Sequence, residues 1–353
     1  MGDTFNGMLA AAGLVTSLAA LVVAWVALRH SLASQPKRMH FVICEWDHVL
    51  SYLPLYVAMH RYLSLATNPF TFTIMLGGAS DRRTWASVIE RDVPSMTADV
   101  AIADPLMVPR FAEQGRAPGV IVGVLLHKVV LWTLFRRPSK GQATASDHKQ
   151  SILGFQKGTT TYMLVTAARR AMYPQYGQVA LNFRLTDAFA KRIMDPDIAF
   201  GVAPEPLASD IERRSDVVRG PPLVAYASVT ECVDPYYTTG IMTRPDIACD
   251  RHKQRALTMF LDALKNAIGD IYDDSLRREI YDIAASEFPS SEPTTIKRAV
   301  DQLIAARVWP RSLDVQDHVW QRTQAVAKFA GVLRRVYPSH MFVGRKYLRC
   351  SPR

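Results

Sequence analysis

The sequence has few cysteines and none of the short motifs that mark common catalytic and metal sites. Its four cysteines, at positions 44, 232, 249 and 350, are widely spaced and form no CxxC pair. This spacing excludes a sequence-evident zinc ribbon, an iron–sulfur run and a disulfide scaffold. HExxH, GxSxG, Walker and GxGxxG motifs are absent, and the nine histidines have no metal-ligand spacing. We therefore expect no metal, no cofactor and no enzyme activity.

Acidic residues are fewer than basic ones, with 32 Asp and Glu against 42 Lys and Arg, which gives a formal net charge of +10. This balance favours anionic partners. The stretch from Arg334 to Arg353 contains basic residues and no acid. We expect this basic tail to contact anionic lipid or an acidic protein surface. No nucleic-acid-binding motif accompanies it, so the chain is not expected to bind nucleic acid.

One long stretch, residues 8–28 from Met8 to Leu28, lacks both charge and proline. A helix of this length spans roughly 31 Å, which matches the ~30 Å hydrocarbon core of a bilayer. A cleaved signal peptide is the alternative, but its apolar region has only about 7–15 residues and follows basic residues. Here only Asp3 carries charge before the run. We predict a retained transmembrane anchor, whose small side chains suit contact with other membrane subunits.

The charges that flank this span predict its orientation. Arg29, Lys37 and Arg38 follow it and no basic residue precedes it. Since basic flanks stay on the cytoplasmic side, we expect a single-pass protein of an inner membrane with its N-terminus outside. The large domain would then lie on the cytoplasmic or mitochondrial matrix side.

Apolar runs and helical patterns alternate twice along the rest of the chain, which predicts an α/β fold with parallel sheets. The valine-rich run 120–135 reads as one strand and residues 251–271 as a long helix. The domain prediction has five parts, in which the second lobe is inserted into the first. They are an anchor and linker (1–38), the first part of lobe 1 (39–135), lobe 2 (136–229), the return to lobe 1 (230–288) and a helical basic extension (289–353).

Several segments, in this order and spacing, carry a resemblance to a known family. They are FVICEW (41–46) with LPLYVA (53–58), Gly77-Gly78 with Asp81, ADVAIADP (98–105), residues 154–161, and Arg244-Pro245-Asp246 with the helix 256–267. Together they resemble the type 2 periplasmic substrate-binding proteins, within the group that binds nitrate, sulfonates and thiamine precursors. That group includes the fungal thiamine-pyrimidine synthase. The resemblance implies two lobes around a ligand crevice.

The sequence also departs from this family. The glycines expected after the first helix are replaced by His60-Arg61-Tyr62-Leu63. The cysteine-rich motif of the pyrimidine synthases is missing, since the matching stretch is residues 230–234, Thr-Glu-Cys-Val-Asp. The resemblance therefore does not extend to the synthase chemistry.

Ligands of such folds lie at the carboxyl ends of the strands. The candidate residues there are Trp46, Asp47, His48, Gly77, Gly78, Asp104, Thr159, Thr160, Thr161, Glu205 and Glu231. The threonine run would open a helix and offers a site for a small anion, although helix capping is the alternative. Trp46 could stack on a ligand ring or pack in the core, and Asp104 could bind a ligand or only end its strand. Glu205 could be a pocket acid or part of a solvated turn.

Two functions remain open on this basis. The first, which the retained anchor, the basic domain and the lost glycines favour, is a non-catalytic accessory or scaffold subunit of an inner-membrane complex. In mitochondria this complex would belong to the respiratory chain or be an ATP synthase. The alternative is a membrane-anchored solute-binding receptor of an ABC-type transporter, or a ligand sensor.

Overall fold

The computed structural model divides the chain into two compact units, Met1–Met39 and His40–Arg353. The structure describes residues 25, 39–77, 88, 98–116, 119–128, 132–136, 152–154, 178–180, 200–203, 205–217, 223–228 and 235–344. The predicted span 8–28 lies outside these residues except for Trp25. Among the residues that the structure describes, no helix is long and apolar enough to cross a bilayer.

The first sheet contains five described strands in the order β2-β1-β3-β10-β4. Their bounds are β1 Met39–Glu45, β2 Phe70–Leu76, β3 Val100–Ala103, β4 Val120–Leu126 and β10 Thr239–Thr243. β1 and β3 pair in parallel, whereas β10 pairs antiparallel with both β3 and β4. Consequently β1, β3 and β4 run in one direction, and their carboxyl ends meet at one edge of the sheet.

The second sheet repeats this arrangement with five described strands in the order β7-β6-β8-β5-β9. Their bounds are β5 Trp132–Arg136, β6 Ile152–Gly154, β7 Gln178–Ala180, β8 Phe200–Ala203 and β9 Leu223–Ser228. β6 pairs in parallel with β7 and β8, and β5 lies antiparallel between β8 and β9. In each sheet, one antiparallel strand therefore lies next to last in the order: β10 separates β3 from β4 in the first sheet, and β5 separates β8 from β9 in the second.

Two sequence predictions need correction here. The run 120–135 is not one strand, because β4 belongs to the first sheet and β5 to the second. The sheets are also mixed rather than parallel, since the chain passes between them twice, from β4 to β5 and from β9 to β10. A strand that enters a sheet directly after leaving the other one runs against its new neighbours. Apolar composition indicates that a strand is buried but carries no information on which sheet receives it.

Eight α-helices lie within the described residues. Their bounds are α1 Leu53–Ala58, α2 Met107–Glu113, α3 Leu207–Val217, α4 Pro245–Cys249, α5 Arg251–Ile271, α6 Arg277–Glu287, α7 Pro293–Ala305 and α8 Asp317–Phe329. One of them, α3, packs on the second sheet. The predicted helix 251–271 is confirmed as α5. Its start is fixed because the Asp250 side chain accepts hydrogen bonds from the backbone N–H groups of His252 and Lys253. Its apolar face, which includes Phe260 and Leu264, is buried.

Side chains of the carboxyl-terminal helices pack in the core of the second unit, His40–Arg353. Trp320 of α8 is fully buried in the same core cluster as Ala101 of β3 and Ile121 of β4. Further along, the backbone of Ile121 exchanges hydrogen bonds with Phe342 and Gly344, at 2.8 and 2.9 Å. These bonds cover the outer edge of β4, a common way to protect a sheet edge from other chains.

Candidate functional site

Loops after neighbouring strands of the first sheet bring several predicted residues together. Trp46, Asp47 and His48 follow β1, Gly77 follows β2 and Asp104 follows β3. The backbone N–H of Trp46 donates to the carbonyl of Ile102 at 3.0 Å, and that of Gly77 donates to the carbonyl of Glu45 at 2.7 Å. The sheet therefore holds the three loops side by side at its carboxyl edge, as the sequence predicts.

Asp104 is a buried carboxyl group, with a relative exposure of 2%. Its Oδ1 accepts the backbone N–H of Leu106 at 2.9 Å, and its carbonyl accepts that of Met107 at 3.1 Å. One carboxylate oxygen thus fixes the turn that opens α2, which agrees with the strand-ending interpretation. The second oxygen of Asp104, Oδ2, is also buried.

Tyr236 is a residue of this edge that sequence reasoning missed. It is fully buried, and its hydroxyl finds no hydrogen-bond partner among the residues that the structure describes. Burial, with a contribution from the charge of Asp104, raises the pKa of Tyr236 well above its ordinary value. Its backbone N–H donates to the carbonyl of His127, at the end of β4. Because Tyr236 lies on the second passage between the sheets, local sequence pattern gives no signal for its position.

The ring of Trp46 and its indole nitrogen have different surroundings. The ring packs against the core cluster that contains Cys44 and Ala103, in agreement with the packing interpretation. Its indole Nε1 is nevertheless buried and unpaired within the described part of the chain. Buried donors without a partner cost free energy, and such atoms are frequent at sites where a ligand or a water completes the hydrogen bond.

His48 takes part in a network that the sequence did not reveal. Its Nδ1 lies 3.2 Å from the Glu45 carboxylate, and its Nε2 lies 3.0 Å from the backbone carbonyl of Glu287. The Tyr56 hydroxyl donates to the other Glu45 oxygen at 2.9 Å. The His48 ring also stacks on Phe288, with ring centres 4.7 Å apart. The loop after β1 is thereby tied to α1 and to the end of α6.

The electrostatics of this network follow from burial and hydrogen bonding. Burial raises the pKa of Glu45, whereas the hydrogen bonds from His48 and Tyr56 oppose that shift. The hydrogen bond to Glu45 raises the pKa of His48 in turn, against the effect of its partial burial. Glu45 and His48 consequently hold protons more tightly than free side chains do. Asp47 lies beside them and accepts the backbone N–H of His48 at 2.9 Å.

Glu205 lies at the equivalent end of the second sheet, directly before α3. It is 3% exposed, and its carboxylate accepts the backbone N–H of Ser209 at 3.2 Å. Burial raises the pKa of Glu205 to about 7. The solvated-turn interpretation is therefore wrong, because this carboxyl group is buried. The remaining predicted site residues lie outside the described residues: Gly78, Thr159, Thr160, Thr161 and Glu231.

The described residues contain no group of three or more His, Cys, Asp and Glu side chains that could hold a metal ion. The side chains of Glu45 and His48 bond to each other, and the Glu287 carboxylate pairs with His60 at 2.8 Å. At the described edge of the first sheet, Trp46, Asp104 and Tyr236 contribute buried polar atoms.

No family model matches the sequence, and no curated protein does. Solved structures do match. One is the ligand-binding component of an ABC-type import system from Staphylococcus aureus with zinc bound, with a TM-score of 0.66 and 14% identity, covering 88% of this chain and 98% of that chain. Another is the alkanesulfonate-binding protein of Xanthomonas axonopodis pv. citri bound to MOPS, with a TM-score of 0.62 and 16% identity, covering 87% and 99%.

The periplasmic nitrate-binding protein from Synechocystis also matches, with a TM-score of 0.55 and 12% identity, covering 75% of this chain and 70% of that chain. At these identities the likeness shows the fold alone. The chain has a divergent form of the type 2 periplasmic substrate-binding fold, as the sequence resemblance implies. In this fold the carboxyl edges of the sheets are the usual place for a ligand.

Proposed function

We propose that the chain binds a small solute at the carboxyl edge of its first sheet, as a receptor for an importer or as a ligand sensor. The observation that carries the proposal is the meeting of Trp46, Asp104 and Tyr236 at that edge. All three present buried polar atoms there, and two of these atoms lack a partner within the described part of the chain. Such a set can orient a ligand through hydrogen bonds while the Trp46 ring contacts its apolar part.

The similar structures support this function better than the scaffold hypothesis. Those named above are ligand-binding proteins: one is a component of an import system, one binds alkanesulfonates and has MOPS bound, and one binds nitrate. No finding supports a mitochondrial or respiratory-chain subunit. We therefore favour the receptor hypothesis over the accessory subunit, and a binding role over catalysis.

The described edge also favours one class of solute. Asp104 supplies a carboxylate, which prefers ligand N–H or O–H donors, while Trp46 and Tyr236 supply donors for ligand acceptors. A neutral or cationic ring with both kinds of atom suits these groups better than nitrate does. An anionic group would instead need Thr159, Thr160 and Thr161, the predicted anion site of the second lobe.

Thermal unfolding of the full chain with a panel of solutes tests this proposal. The panel contains thiamine precursors, sulfonates, nitrate, zinc and heterocyclic amines. At a hundredfold excess over Kd, a bound solute should raise the free energy of unfolding by ~2.7 kcal/mol. The gain should be lost in Asp104→Asn and reduced in Trp46→Phe, because each change removes a hydrogen bond to the ligand.

Asp99→Asn is the matched control. Asp99 directly precedes β3, the strand that Asp104 follows. Its carboxylate pairs with Lys253 at 2.9 Å. This variant should unfold more readily but keep the gain from the solute. A panel without any stabilising solute, or a gain that survives Asp104→Asn, would contradict the proposed site.

A further inference from the structure

Residues 328–336, here called the basic turn, comprise the last two residues of α8 and the segment that follows it. The residues on either side, Ala327 and Tyr337, are buried, with relative exposures of 0% and 6%. Within the turn Leu333 is buried, whereas the Phe329 side chain is 64% exposed and that of Val336 is 40% exposed. The charged residues of the turn are exposed as well, and they are Lys328, Arg334 and Arg335.

The shape of the basic turn is fixed by hydrogen bonds at its base. Glu113 of α2 accepts the backbone N–H of Arg334 and the hydroxyl of Tyr337, both at 3.0 Å. Gln324 of α8 both donates to and accepts from the Tyr337 backbone, at 2.7 and 2.9 Å. Gly331 adopts a φ of 75°, which allows the chain to reverse after the helix. The apolar and basic side chains are therefore displayed by an ordered backbone.

The charged residues of the basic turn itself, Lys328, Arg334 and Arg335, are all cations. No acidic residue follows Asp317 in the sequence. Glu113, the acid at the base of the turn, directs its Oε1 at the turn's own backbone and at Tyr337. Exposed apolar side chains among cations fit the surface of an anionic bilayer, where the apolar groups enter the headgroup boundary and the cations contact the phosphates. An acidic protein surface would satisfy the charges but would not require an exposed Phe329.

The basic turn also lies at the end of the first sheet where β3 and β4 begin. Ile43, Val100, Thr243 and Val120 form one row across this sheet. β1 begins before that row, at Met39. Ile121, which follows Val120 in β4, pairs with Phe342 and Gly344. The Phe342 ring packs on Tyr337, with ring centres 5.4 Å apart. The turn is thus at the amino-terminal edge, opposite the proposed solute site.

We propose that the basic turn docks on an anionic lipid surface, with Phe329 and Val336 at the headgroup boundary and Lys328 and Arg334 on the lipid phosphates. Docking holds the first sheet with its solute edge directed away from the bilayer. The proposal goes beyond solute binding and is independent of it, because the two sites share no residue.

Hydrogen–deuterium exchange of the full chain tests the proposal. The chain is measured with vesicles of phosphatidylcholine alone and with vesicles that contain about 30% phosphatidylserine. Amide exchange across residues 328–336 should be slower with the anionic vesicles, and high salt should remove the difference. This comparison reports on the turn whether or not residues 8–28 insert into the vesicles.

Lys328→Gln with Arg334→Gln should weaken docking by about 30-fold. Each basic residue near an anionic surface contributes about 1 kcal/mol of binding free energy, and the loss of two corresponds to this factor. Phe329→Ser should weaken it without any change of charge. The matched control is Lys265→Gln with Arg311→Gln, which removes two cations from a concavity beside the end of α5 and should leave protection intact. Equal exchange of the turn in both vesicle types would overturn the proposal, as would protection that survives the Lys328 and Arg334 changes.

Discussion

Glu205 is a buried carboxyl group that should titrate near neutral pH. Burial raises the pKa to about 7 from an ordinary value of 4.5, while the Ser209 hydrogen bonds and the charge of Arg298 oppose the shift. Because the folded-state pKa is the higher one, the protonated group contributes stability below about pH 4.5, and this contribution is lost as pH rises through about 7. In Glu205→Gln the group stays neutral at every pH. Relative to this variant, the wild type should lose free energy of unfolding between about pH 5 and 8.

Urea unfolding at several pH values checks this expectation, and the loss should reach at most about 3 kcal/mol. Glu212 and Arg298, which bond each other at 2.6 Å beside Glu205, remain in both proteins. Asp262→Asn, at an exposed position of α5, serves as the control and should follow the wild type. Stability curves of the wild type and Glu205→Gln that stay parallel over this range would contradict a raised pKa.

His48 should give a second pH dependence, at the proposed solute edge. The hydrogen bond to Glu45 raises the folded-state pKa of His48, so its stabilising effect is present below the unfolded pKa of about 6.5 and fades as pH rises. The difference in free energy of unfolding between the wild type and His48→Gln should therefore be larger near pH 6 than near pH 8. His318→Gln, at an exposed position of α8, should show no such trend. A constant difference across this range would mean that the His48 contacts do not depend on its proton.

At the scale of strands and helices, sequence reasoning succeeds where the signal is local. The helical pattern of 251–271 predicts α5, and the ends of three apolar strands predict the loops with Trp46, Gly77 and Asp104. It fails where a residue's role depends on distant contacts. In the sequence Glu45 has the pattern of an ordinary strand end. In the structure its partner His48 bonds to the backbone carbonyl of Glu287, 239 positions away along the chain. Tyr236 reaches the same edge only because the chain crosses between the sheets a second time.

The contact of β10 with the loop after β3 allows a test of this edge by one substitution. A Cβ at Gly240 would lie 2.8 Å from the Cβ of Pro105, whose ring cannot turn aside. Gly240→Ala should therefore push apart β10 and the loop that carries Asp104, at a cost of about 1–3 kcal/mol in the free energy of unfolding. Gly269→Ala is the control, since a Cβ there meets nothing within 4 Å and alanine favours the helix by about 0.5–1 kcal/mol. If chemical denaturation shows that Gly240→Ala is as stable as the wild type, the loop that carries Pro105 moves away without a cost in free energy.

At the scale of the whole molecule, the carboxyl-terminal helices link the two sheets. α7 packs on α6, beside the first sheet, and on α3, which follows β8 of the second. Arg298 and Gln302 of α7 bond to Glu212 and Ser209 of α3, at 2.6 and 3.4 Å. Any opening between the two sheets must therefore carry α7 along or break these bonds. The predicted extension 289–353 thus has a structural part, 293–329, whose contacts reach both halves of the fold.

The topology in the membrane stays a prediction from the sequence. Arg29, Lys37 and Arg38 follow the predicted span 8–28, and only Asp3 carries charge before it. These charges predict that residues 39–353 lie on the cytoplasmic or matrix side. Protease added to sealed vesicles of known orientation should digest this domain only when that side faces outward. Receptors of import systems receive their solute from the opposite side, so digestion from there alone would refute the charge-based orientation and strengthen the importer hypothesis. Digestion from the predicted side would instead favour an intracellular ligand sensor, with the basic turn next to the anionic leaflet.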